Sequence, residues 1–105
     1  MTIEIESTGE PLFAYVAIFS GLTVDEFTRA IDRFDNQIAN WLTVLPQTVF
    51  IASPMNATAL TEFLRKRVPG IKYLLVLDAH TDRNGWMPKS GWEFLRKPHR
   101  VKGEK

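Results

Sequence analysis

The stretch LFAYVAIF, Leu12 to Phe19, sets eight apolar residues in a row. It is far shorter than the roughly 20 residues of a membrane-spanning helix. Its aromatic and branched side chains suit a strand buried on both faces, and Ser20-Gly21 closes it. A chain built around such a strand has to cover a sheet on two sides.

The next segments supply the rest of that sheet and one of its covers. In TVDEFTRAIDRF the residues Val24, Phe27, Ile31 and Phe34 recur at helical spacing, and Thr23 with Glu26 three residues on forms a capping box. Ile38 to Leu45 and Thr48 to Ala52 read as two strands parted by Pro46 and Gln47, the spacing of a tight antiparallel connection. After Ser53-Pro54, Asn56 is the N-cap of a second amphipathic helix carrying Leu60, Phe63 and Leu64. Arg65, Lys66 and Arg67 meet the negative end of its dipole, and Pro69-Gly70 stops it. IKYLLVLDA is a fourth strand, and Asn84-Gly85 turns the chain into WMPKSGWEFLRK, which contains a short helix.

Strand, helix, strand, strand, helix, strand is the α+β, ferredoxin-like βαββαβ sandwich: a four-stranded antiparallel sheet with two helices on one face and here a C-terminal extension. The 105 residues make one domain, with residues 1–9 and 98–105 expected as flexible tails. Two helices cover one face only, and an apolar face left open to water is an unlikely resting state for a monomer. The expectation is a homodimer packed through its sheets and closed by the C-terminal segment, with Phe13, Tyr15, Trp86 and Trp92 as interface candidates.

Composition excludes several classes of function. With no cysteine there is no disulfide, thiolate metal site or cysteine nucleophile. The acidic start MTIEIESTGE lacks the basic and apolar regions of a secretory signal, so a cytoplasmic protein with no membrane partner is expected. No dinucleotide or phosphate-loop glycine pattern occurs. The net charge of +1 hides an asymmetry, because the end RKPHRVKGEK is basic. Arg83, Lys89, Arg96, Lys97 and Arg100, beside the tryptophans, are candidates for binding single-stranded nucleic acid, where bases stack and phosphates pair. For the tryptophans the better reading is core or dimer seam, the usual place of large aromatics.

The phrase DAHTDRNGW poses the enzymatic alternative. Asp78, His80 and Asp82 alternate at the strand period and could together hold magnesium or manganese and activate water. Same-face residues on a strand sit nearly 7 Å apart, however, too far for one ion to bridge without a bend. Asp82-Arg83-Asn84-Gly85 also has the composition of a turn. Architecture is the better reading of the phrase, with no cofactor expected.

NWLTVLPQTVFIAS, NATALTEFLRKRV and YLLVLDAHTDRNGWMPKSGWEFL, taken in order, resemble the SinR-like proteins. These are small ferredoxin-like prokaryotic relatives of the CRISPR-associated Cas-two endonuclease and of the VapD ribonuclease. The likeness runs from about Phe13 to Leu95 and rests on layout and on tryptophan-bearing phrases. It implies a dimer and, in the nucleases, an aspartate at the end of the first strand that holds a divalent cation. Here Ser20 stands at that place, a poor ligand for a hard cation. The function expected is therefore a non-catalytic dimeric module that binds nucleic acid or protein. The alternative is a metal-dependent nuclease with its carboxylates displaced to Asp78 and Asp82.

Overall fold

The structure is a computed structural model that describes residues 11–79 and 83–100. Of the expected tails 1–9 and 98–105, residues 1–9 and 101–105 lie outside the described residues, as do His80 and Asp82. The elements are β1 (Phe13–Ser20), α1 (Val24–Ile31), β2 (Asn40–Leu42), β3 (Thr48–Ser53), α2 (Ala57–Arg67), β4 (Tyr73–Asp78) and α3 (Lys89–Arg96). The strands form one antiparallel sheet in the order β2-β3-β1-β4. That is the ferredoxin-like arrangement, with α3 as its C-terminal extension.

Local chemistry explains where the helices begin. The Thr23 hydroxyl accepts from the Glu26 amide at 3.0 Å while the Glu26 carboxylate accepts from the Thr23 amide at 2.9 Å, so the capping box is complete. Asn56 Oδ1 accepts from the Ala59 amide at 2.8 Å and starts α2. Gly21 and Gly70 carry positive φ at the two element ends that meet beside β1 and β4. A Cβ on Gly21 would lie 2.3 Å from the Gly70 carbonyl oxygen, so the close backbone approach there requires glycine.

The connection between β2 and β3 differs from the two-residue turn expected at Pro46-Gln47. β2 is only Asn40–Leu42, and residues 43–47 form a longer loop. Gln47 sits in the left-handed region at φ 53°. Its side-chain amide donates to the Phe19 and Leu22 carbonyls, each at 3.1 Å. These bonds compensate a conformation that glycine would otherwise take.

Two apolar layers flank the sheet. On one face Tyr15, Ala17, Phe19, Val49 and Ile51 pack under α1 and α2 with Phe27, Ile31, Leu60 and Leu64. On the other, Ala14, Phe50 and Ala52 meet Phe94 and Leu95 of α3. Gly91 lets α3 lie close, since a Cβ there would press on Met87 and come within 3.4 Å of the Phe50 ring. The second face is thus covered in part by the chain itself, through α3.

Candidate functional site

The cover on the second face stops short of β4. Tyr73, Leu75 and Leu77, alternating along that strand, are 71%, 53% and 46% exposed, and Ile18 directly opposite Leu75 is 39% exposed. Their neighbours Leu74 and Val76 point the other way, into the helix-side core. The sheet therefore presents a bare apolar strip along its edge strand. Large exposed apolar side chains in a row are uncommon on a folded surface, which makes the strip the candidate site.

Trp86 stands fully exposed between β4 and α3 in the chain. The ring of Trp92 instead packs half-buried with the α3 layer, close to Gly85. Trp41 is half-buried too, its indole N–H donating to Asp32 Oδ1 at 2.8 Å. Of the other interface candidates, Phe13 is partly exposed. Tyr15 is committed to the protein's own core, its hydroxyl donating to the Met55 carbonyl at 2.7 Å. Burial, with the Asp78 carboxylate as a second cause, raises the Tyr15 pKa above that of a free tyrosine.

The basic candidates do not form one patch. Arg83 reaches back to donate to the Ala79 carbonyl at 2.9 Å, and Lys89 at the start of α3 faces Glu93 at 3.8 Å. Arg96 and Lys97 lie at the far end of the same helix, about 10 Å from Lys89 at 1.5 Å per residue. Arg100 donates to the Asp35 carbonyl, in the connection after α1. In sequence, Arg83 and Lys89 stand three residues to either side of Trp86.

The phrase that could have been a metal site is described only at Asp78, which ends β4 opposite Tyr15. Among the described residues, no three of His, Cys, Asp or Glu come together as ligands for an ion. At the end of β1 the Ser20 hydroxyl is buried and has no hydrogen-bond partner among the described residues. A group shut off in this way does not fit a site shared with a hydrated divalent cation. The described residues thus bring together no side-chain ligand cluster for magnesium or manganese. Nor is any helix among them long and apolar enough to cross a membrane.

The bare strip was half visible in the sequence. IKYLLVLDA shows the apolar positions, but which of them point outward and which strand lies at the sheet edge are tertiary facts. Set against protein-family models, curated proteins and solved structures, the chain matches none.

Proposed function

We propose that this protein is a non-catalytic ferredoxin-like module that works as a homodimer and serves as a platform for a macromolecular partner. The observation that carries the reading is the strip of Ile18, Tyr73, Leu75 and Leu77 on the uncovered part of the sheet. Burying a leucine-sized side chain is worth about 1.5–3 kcal/mol, so several of them on one rigid strand supply the drive for association. The test is the mass of the purified full chain in solution by light scattering across a range of concentrations. A dimer supports the reading, and a monomer throughout refutes it.

A second reading names the partner as single-stranded nucleic acid, and one observation favours it: fully exposed Trp86, with Arg83 and Lys89 three positions to either side in the sequence. Stacking of a base on an aromatic ring is worth about 1–3 kcal/mol. Binding of labelled single-stranded RNA or DNA should then weaken about 5- to 100-fold in Trp86→Ala and fall with added salt. No binding at low salt would leave the platform to a protein partner. Cleavage that needs magnesium or manganese and is lost in Asp78→Ala would overturn the non-catalytic reading, including its resemblance-based form as a SinR-like module.

A further inference from the structure

Among the described residues β4 is the outermost strand on its side of the sheet, and one set of its backbone groups is already paired. The Ala79 amide donates to the Ala14 carbonyl at 3.0 Å, and bonded pairs alternate along an antiparallel ladder. Leu77, Leu75 and Tyr73 therefore turn their amides and carbonyls toward Val16, Ile18 and Ser20 of β1. Those of Leu74, Val76 and Asp78 turn to the other side, where the sheet has no further strand among the described residues. Edge strands are usually blunted by a proline or a charge within the run. YLLVL has neither, and its charges stand only at the ends, Lys72 before it and Asp78 closing it.

We propose that two copies of the chain pair antiparallel through this open edge of β4, about a two-fold axis at Leu75. The proposal rests on the dimeric reading above and gives it a geometry. About that axis Leu74 exchanges both backbone bonds with Val76 of the second copy, and the Asp78 amide donates to the Lys72 carbonyl across the seam. Lys72 needs no second acceptor for its own amide, which already donates to the Ser20 carbonyl at 2.8 Å. Tyr73 stands opposite Leu77 and Leu75 opposite its own copy, in the closely spaced non-bonded positions where side chains touch most.

Charge selects this register. Centred on Leu75, the pairing sets the Lys72 ammonium beside the Asp78 carboxylate at both ends of the seam. Centring on Leu74 or on Val76 keeps the backbone pattern but sets Lys72 opposite Val76, or Asp78 opposite Leu74, and forfeits both attractions. The chosen pairing makes an eight-stranded sheet. Its two rows of Tyr73, Leu75 and Leu77 meet side by side across the seam, so each copy shields part of the other's strip.

The chain has no cysteine, so single cysteines report the register directly. In a non-bonded antiparallel pair the Cα atoms lie about 4.5 Å apart, within disulfide range. Leu75→Cys should cross-link to itself under mild oxidation. Tyr73→Cys alone should not, because its two copies lie about 13 Å apart along the strands, yet it should cross-link when mixed with Leu77→Cys. Wild-type protein of twice the chain mass together with this pattern supports the proposal. A wild-type dimer in which neither Leu75→Cys nor the mixed pair cross-links overturns the edge pairing and leaves the dimeric reading standing. A monomeric wild type overturns both.

Discussion

Replacing Phe94 by alanine tests whether α3 covers the sheet of its own chain. Phe94 is 6% exposed, and its ring lies 6.4 Å from that of Phe50, tilted by 41°. Buried phenylalanine to alanine costs about 3–5 kcal/mol, part of it the loss of an aromatic pair worth about 0.5–1.5 kcal/mol. A domain of this length has roughly 5–15 kcal/mol to lose, so the change removes a large share of the whole. At about 4–8 °C per kcal/mol the melting point should fall by about 12 °C or more. Urea unfolding followed by tryptophan fluorescence measures the loss, at one fixed protein concentration because association adds to apparent stability. Leu45→Ala, at an exposed leucine of the 43–47 loop away from the strip, is the control and should move stability by no more than about 0.5 kcal/mol. A loss below about 1 kcal/mol in Phe94→Ala would refute the packing of α3 on β1 and β3.

Three further changes probe the frame that holds the strip. Ser53 is fully buried, and its hydroxyl donates to the Gln37 carbonyl at 2.7 Å and accepts from the Met55 amide at 3.1 Å. Ser53→Ala strands both groups and should cost about 2–3 kcal/mol in urea unfolding. Gly21→Ala drives a Cβ into the Gly70 carbonyl at a positive φ and should cost about 2–3 kcal/mol by the same assay. Tyr15 has its folded pKa raised, first by burial and then by Asp78. Its contribution is therefore complete below the unfolded value of about 10 and is lost as pH rises from there through the folded value. Unfolding measured from pH 9 upward should show a weaker alkaline loss in Tyr15→Phe. At neutral pH that variant should be about 1 kcal/mol less stable, for want of the bond to Met55.

The helices and the sheet were legible because their signals are local. Thr23 with Glu26, Asn56, and Pro69-Gly70 each act within one turn of chain, so the order of elements and hence the fold class followed from them. LFAYVAIF was harder, because a run apolar at every position does not say which alternate set faces the helices. Tyr15 belongs to the helix-side set with Ala17 and Phe19, which is why it is core rather than the interface residue it resembled in the sequence. Pro46-Gln47 misled for another reason. The left-handed Gln47 is held by bonds to Phe19 and Leu22, residues more than twenty positions away.

The half-covered face has a plain geometric cause. Strands lie about 4.8 Å apart, and a helix with its side chains is about 10–12 Å across. One helix therefore spans little more than two strands of a four-stranded sheet. The buried outer residues divide accordingly: Ala14, Phe50 and Ala52 of β1 and β3 lie with α3, while the outer residues of β4 stay bare. The fold class places the fourth strand at the sheet edge beside the first, so Tyr73, Leu75 and Leu77 follow as outward positions once the helix-facing set is known. The partial cover also bears on the geometry of the proposed dimer. Two sheets packed flat against each other would have to displace or straddle α3. Pairing at the edge leaves both α3 helices where they are, so that geometry needs no rearrangement of the chain.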